Sequence, residues 1–266
     1  MNAIKIWILM PAYNEEACLP SLLPKIQKEA KDHNWNYTLV ACNDGSTDKT
    51  GEILAQFQKE MPIEIITHEI NRGLGETARD LFEYAAKHSN DEDVIVRIES
   101  DDTNEPMYIT RLREKLSEGY DVVTCSRFQE GSGQMGVYGY RKIISLCATM
   151  FMRFFFPVKN LKEYTCGYRA YRATIIKKAI ATYGNMFIQL KGLGFTCTLE
   201  KIVKLNILGA TFAEVPFVLR YDQKASESKM VSSITMLGYI VMTICHHWPW
   251  GGWRTKYKQL PNKNRS

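Results

Sequence analysis

Three carboxylates, Glu99, Asp101 and Asp102, stand within four residues at the end of the apolar run Val94-Ile95-Val96-Arg97-Ile98. Apolar runs of this kind are buried strands, and such a strand does not normally end in clustered like charges. Carboxylates this close repel one another unless a cation or a set of donors holds them. Two arrangements meet that demand. In one, oxygen ligands hold a hard divalent ion such as Mg2+ or Mn2+, which in turn holds phosphates. In the other, the acids form a solvated loop ahead of the helix that follows Pro106.

The other strand ends bear on this choice. Strand-like runs at residues 4–9, 37–42, 63–67 and 122–125 also stop at polar groups. These groups are Tyr13, Asn14 and Glu15, then Asn43 and Asp44, then Asn71 and Arg72, and finally Arg127. Helical patterns separate the runs: one from Pro20, one capped at Thr47 or Asp48, one after Gly73-Leu74-Gly75, and one over residues 105–116. Strand alternating with helix predicts an α/β protein with a mostly parallel sheet and helices on both faces. In such a sheet the carboxyl ends of the strands share one edge, where ligands bind. Loops are polar by default, but five successive ends supplying carboxylates, amides and arginines favour a convergent site. The mixture suits a nucleoside diphosphate: carboxylate and amide for base and ribose, a metal for the phosphates, and Arg72 or Arg127 for residual charge.

The second half differs in character. The chain has 266 residues, 45% hydrophobic and 24% charged, with a net charge of +5, which is globular composition. Its charge is unevenly spread, because no acid occurs between Glu130 and Glu163, nor after Glu227. Both regions are rich in apolar and aromatic residues, a combination that favours an anionic lipid surface over nucleic acid. Residues 131–136 read as a mobile Gly-rich loop. Residues 143–156 are a core helix or an interfacial one, and 211–220 a late strand that Pro216 pushes to an edge or a bulge. The uncharged stretch 230–253 has an apolar part shorter than a spanning helix, followed by a belt of Trp248, Trp250 and Trp253. His246 and His247, being adjacent on a helix, point apart and make a poor metal pair. The expected organisation is a catalytic domain over 1–229 and a membrane-associating segment over 230–266. Seven dispersed cysteines and an N-terminus that enters a strand at once suggest reduced thiols and no signal peptide.

From Pro11 to Lys229 the chain resembles the family-2 glycosyltransferases of the GT-A fold, most closely the polyprenyl-phosphate (dolichyl-phosphate) mannosyl- and glucosyltransferases. The resemblance rests on Pro11-Ala-Tyr-Asn-Glu-Glu16, Asn43-Asp-Gly-Ser-Thr-Asp48, Asn71-Arg-Gly-Leu-Gly75, the acid cluster with Pro106, and Ser126-Arg127. It continues through Thr165-Cys-Gly-Tyr-Arg-Ala-Tyr-Arg172, Glu214-Val-Pro216, Arg220 and Ser228-Lys229. It implies a GT-A, Rossmann-like sheet and inverting transfer of a hexose from a GDP-mannose or UDP-glucose type donor to a polyprenyl phosphate. By position, Pro11, Tyr13, Asn14, Glu15, Asn43, Asp44, Arg72, Gly75 and Ser100 would bind the nucleotide-sugar. Glu99, Asp101, Asp102 and Thr103 would face Mg2+ or Mn2+, and Arg127, Arg141, Arg220, Ser228 and Lys229 the donor or acceptor phosphates. The catalytic residues implied are Asp101, Arg127 and Arg141. Asn43 and Glu99 depart from the pattern, since both positions commonly hold Asp.

An acceptor phosphate is already ionised, so its attack on the anomeric carbon needs no general base. A hydroxyl acceptor, as in polysaccharide or glycan synthesis, would need one, and Glu200 is the candidate, or else an ordinary helix-surface residue. An inactive membrane-attached binding protein is the reading from another class; it would lack acids at positions 44 and 101, and both are present. The expected location is the cytoplasmic face of a membrane, peripheral or shallowly inserted, with no nucleic-acid partner.

Overall fold

In the computed structural model, which describes residues 4–137, 139–226, 229 and 231–247, the chain opens on strand β1 (Ile6–Ala12), with all seven residues buried. A strand buried on both faces needs a layer on each side. Ile6, Ile8 and Met10 join one core layer and Trp7 and Leu9 the other, the period of two that a strand imposes. Helix α1 (Leu19–Asp32), β2 (Tyr37–Asp44), α2 (Thr50–Phe57), β3 (Ile63–His68) and α3 (Leu74–His88) follow. Next come β4 (Val94–Arg97), α4 (Tyr108–Ser117) and β5 (Val122–Ser126). The second half adds β6 (Gly133–Met135), α5 (Gly139–Phe155), β7 (Arg169–Arg172), α6 (Ala173–Tyr183), α7 (Thr196–Ile207), β8 (Phe212–Pro216), β9 (Val218–Arg220) and α8 (Ser232–His247).

The main sheet runs β3-β2-β1-β4-β7-β5-β8, parallel except for β7, which is antiparallel to both β4 and β5. Leu22, Leu23 and Ile26 of α1 and Ile109 and Leu112 of α4 cover one face. Phe82 of α3, Ile176 of α6 and Val203 of α7 cover the other. The expected mostly parallel sheet with helices on both faces is therefore present. Its reversed strand matters for the site: the carboxyl ends of β1, β2, β4 and β5 meet the amino end of β7 along one edge.

Two local expectations change. The late strand is two strands, because β8 takes the sheet edge and Pro216 ends its pairing with β5. The chain then leaves, and β9 pairs with β6 in a separate two-stranded ribbon. The Gly-rich stretch is therefore partly strand, with β9 supplying its partners. Gly136 holds φ +71° with no room for a Cβ against the Asp222 backbone, so only glycine suits this turn.

Helix α8 is not detached from the body. Tyr239 and Met242 are buried in the main core, and a Cβ on Gly238 would overlap the Thr196 hydroxyl at the start of α7. His247 Nε2 lies 3.1 Å from the Phe155 carbonyl, which ties the end of α8 to the end of α5. No helix among the described residues is long and apolar enough to cross a membrane. The expected tryptophan belt and basic tail lie outside the described residues. Cys18, Cys42, Cys125, Cys147, Cys166 and Cys197 are free thiols.

Candidate active site

At the shared strand edge lies a cleft of about 590 Å3. Pro11 at the end of β1, Tyr13 and Glu15 just after it, Asp44 at the end of β2 and Arg72 ahead of α3 line it. Glu99, Ser100, Asp101 and Thr103 enter after β4, Arg127 after β5, Arg141 from α5, and Lys229 from the segment before α8. Asp44 is held in one pose: its Oδ1 accepts from His68 Nδ1 at 2.6 Å and the Arg72 amide at 2.9 Å, and its Oδ2 accepts from the Gly73 amide at 2.9 Å. Glu15 receives the Lys229 ammonium at 2.7 Å.

The acid cluster is resolved by three separate cations. Arg97, buried within the sheet, grips both oxygens of Glu99 at 2.7 and 2.9 Å. Asp101 takes the Lys224 ammonium and the Thr103 hydroxyl, the latter at 2.6 Å. Asp102 turns away from the cleft at φ +58°, accepting from Ser21 Oγ at 2.8 Å and Lys25 Nζ at 2.9 Å. Asp102 is thus spent on anchoring α1, which corrects its expected place beside a metal. Burial opposes the charge on Lys224, but Asp101 outweighs it and holds the ammonium above the ordinary lysine range.

Among the described residues no three His, Cys, Asp or Glu side chains gather around one point to hold an ion. A magnesium-type ion needs less than that, because one or two carboxylates plus substrate phosphates suffice. Asp101, already shaped to hold a cation and backed by Glu99 on the same wall, fits a metal that arrives with a diphosphate.

Arg127 is a largely buried cation of the cleft, its side chain 9% exposed. Its Nε and Nη2 meet the two oxygens of Glu163 at 2.8 and 2.9 Å, and Nη2 also donates to Thr165 Oγ1 at 2.6 Å. Glu163 is wholly buried and also accepts the Thr165 and Cys166 amides at 3.0 Å. Burial disfavours both charges, yet each outweighs that cost for the other: the Glu163 carboxyl is held below its usual range and the Arg127 guanidinium above its own. Gly167 closes this wall, since a Cβ there would overlap both Arg97 and Glu99.

Several expected residues stand elsewhere. Asn14 staples two loops through its backbone and side chain, accepting the Thr47 amide at 2.9 Å on Oδ1, and Asn43 is buried beside Ser46. Gly75 packs against the Lys191 backbone, and Arg220 pairs with Asp222 at 2.8 Å. None of these four lines the cleft. Glu200 is fully buried, with Lys204 at 2.6 Å and the Gln189 and Leu190 amides at 2.9 and 3.0 Å, so it is no general base for this cleft. Ser228 lies outside the described residues. Sequence reasoning missed Lys224, Lys191 and the role of Glu163. The one available signal was Glu163 itself, an acid opening a strand-like motif with no base until Arg169.

Over residues 7–181 the chain matches the model of Glycosyl transferase family 2. It belongs to that family. Among curated family relatives, the dolichol-phosphate mannosyltransferase of Pyrococcus furiosus is 26% identical over 85% of this chain and 59% of its own. An undecaprenyl-phosphate 4-deoxy-4-formamido-L-arabinose transferase of Photorhabdus laumondii is 31% identical over 65% of this chain and 50% of its own. The chain therefore spans about half the length of the curated relatives it matches. Mycobacterium tuberculosis glucosyl-3-phosphoglycerate synthase, solved with Mn2+, UDP and glucosyl-3-phosphoglycerate, superposes with a TM-score of 0.61 at 17% identity, covering 91% of this family-2 chain and 79% of that one. At that identity the likeness speaks for the fold.

Proposed function

We propose that this family-2 glycosyltransferase moves a hexose from a nucleoside-diphosphate sugar to a polyprenyl phosphate, with inversion, while lying peripherally on the cytoplasmic face of a membrane. The observation that carries the reading is the make-up of the cleft. Its inner wall holds carboxylates and cations suited to a nucleotide and its diphosphate. Its outer rim lies between α5 and α8, where Ile144, Val231, Ile234 and Met236 line it. The outward faces of the same helices expose Ile143, Met150, Phe154, Leu237 and Ile240. An anionic head on an apolar tail matches that gradient. The names of the two curated relatives, both transferases of lipid-phosphate chemistry, support the same acceptor class.

In this reading Asp44 and Glu15 orient the base and ribose. Lys224, Lys229 and Arg127 surround the diphosphate, and Arg141, on the α5 side beside Tyr221, meets the acceptor phosphate. A phosphate oxygen attacks the anomeric carbon from the face opposite the leaving group, the sugar–oxygen bond breaks, and the nucleoside diphosphate carries the electron pair away. The acceptor is already ionised, so no proton has to move, and the burial of Glu200 fits that economy. Asp101 would hold Mg2+ or Mn2+ on the diphosphate, where the ion neutralises the charge that develops on departure. The cations of the wall act on that same charge.

The test is transfer of labelled sugar from GDP-mannose and from UDP-glucose into vesicles with and without polyprenyl phosphate. Lipid-linked product that needs the polyprenyl phosphate supports the proposal. Transfer only to a soluble hydroxyl acceptor would sink it.

A further inference from the structure

His68, the last residue of β3, belongs to no motif, yet it is nearly as buried as Asp44, with 5% of each side chain exposed. Its two ring nitrogens each meet a carboxylate: Nδ1 lies 2.6 Å from Asp44 Oδ1 and Nε2 lies 3.0 Å from Asp80 Oδ2. A neutral imidazole has one N–H, so one of these contacts would set a lone pair against a carboxylate; the cationic ring donates to both.

We propose that His68 is a positioning residue of the donor site, tying the nucleotide-facing Asp44 to Asp80 through two N–H donors, so that donor affinity falls as rising pH removes one of them. The proposal rests on the reading of Asp44 as a nucleotide contact.

The surroundings support a proton-dependent link. Asp80, on α3, is held apart from the ring as well: Arg72 Nη1 donates at 3.1 Å to the same Oδ2 that faces His68, and Arg79 Nη2 donates at 3.0 Å to Oδ1. Glu76 on α3 is occupied by the same two arginines. From β2, besides Asp44, the Cys42 thiol lies 3.6 Å from Nε2. Burial, with Asp44 and Asp80 adding to it, pushes that thiol up to about 12, so it stays neutral and takes no part in the titration. On the cleft side, Asp44 also holds the amides of Arg72 and Gly73, in the turn that lines the donor pocket. Loss of the His68 link therefore loosens the carboxylate and its turn together.

The experiment is calorimetric titration of the full chain with UDP and with GDP in the presence of Mg2+, from about pH 5.5 to about 8.5. Wild type is expected to lose about tenfold in affinity for its nucleotide across that range, the worth of one charge-assisted hydrogen bond. His68→Gln, which keeps one donor nitrogen and puts a carbonyl oxygen in place of the other, should bind weakly at every pH with no slope, and Asp80→Asn should shift the fall in affinity. A flat wild type, or His68→Gln with the wild-type slope, overturns the proposal. Ring 15N signals of His68 without nucleotide separate this from failure of the donor reading. Two hydrogen-bonded N–H groups at the acid end support the link even where neither nucleotide binds. One N–H throughout overturns it.

Discussion

The two walls of the cleft solve opposite problems. On the sheet side, charge is concentrated and almost wholly consumed: Glu99 by Arg97, Asp101 by Lys224, Glu163 by Arg127 and Asp44 by His68 with two amides. On the helix side, α5 carries no acid and only Arg141, Lys142 and Arg153 as bases, α8 carries no Asp, Glu, Lys or Arg, and both leave large apolar side chains in solvent, Phe154 at 79% exposure among them. Rigidity on one wall comes from these charge pairs, of which the buried Arg127–Glu163 pair costs several kcal/mol to break. The other wall holds surface that water disfavours. In the proposed function the walls have different work, holding a small charged donor against meeting an apolar environment.

The contrast breaks most severely at the Arg127–Glu163 pair. Arg127→Ala or Glu163→Ala leaves a lone buried charge, with an expected loss of ~3–5 kcal/mol of stability by denaturant unfolding and no transfer. Because the Glu163 carboxyl is held below its unfolded value, its contribution is present at neutral pH and is lost on acidification through its folded value. Asp101→Ala should spare the fold yet lower transfer by about 100-fold or more, measured as kcat at saturating donor.

Lys201 sharpens the comparison from within the charged half. It is buried with no hydrogen-bond partner for Nζ among the described residues, 4.6 Å from the Phe82 ring centre. Burial, with Arg97 and Arg169 adding to it, pushes its ammonium down to about 7. The unfolded chain then binds more protons between about 7 and 10.5, so stability rises with pH across that window, and below it the full penalty of a buried charge applies. Lys201→Met should remove that slope and add ~1–4 kcal/mol at pH 6, read from thermal melts. The smallest effect is expected on the apolar wall. Replacing Ile143, Met150 and Phe154 with serine should change stability by less than ~0.5 kcal/mol per site. The same variant should weaken binding to polyprenyl-phosphate vesicles about tenfold, with nucleotide affinity untouched.

The fold was largely legible because alternation of strand and helix repeats often enough to imply one sheet, and each strand announced its functional end with polar residues. Charge partners were not legible. Lys25 and Asp102, or Lys224 and Asp101, are brought together only by the packing of α1 and by the return of the chain after β9. An acid cluster therefore reads the same whether its cation is a metal or a distant lysine. Glu200 and Lys204 look like a surface pair one turn apart, and only the buried neighbours on every side of α7 show otherwise. Helix α6 was hidden because it starts at Ala173, directly after β7, with no linker to mark the change. The short strand β6 has no pattern of its own; β9 creates it.

The reversed strand β7 also fixes the order in which the protein becomes complete. During synthesis β4 and β5 leave the ribosome first, but they do not touch in the finished sheet, because β7 lies between them. Until residues 169–172 fill that slot, no strand joins β5 to the rest of the sheet. The sheet wall of the cleft is thus closed by the strand that follows the buried acid Glu163 in the chain. A chain ending before Arg169 would hold the strand ends of β3-β2-β1-β4 on one edge but would lack the strand that joins β5 and Arg127 to them.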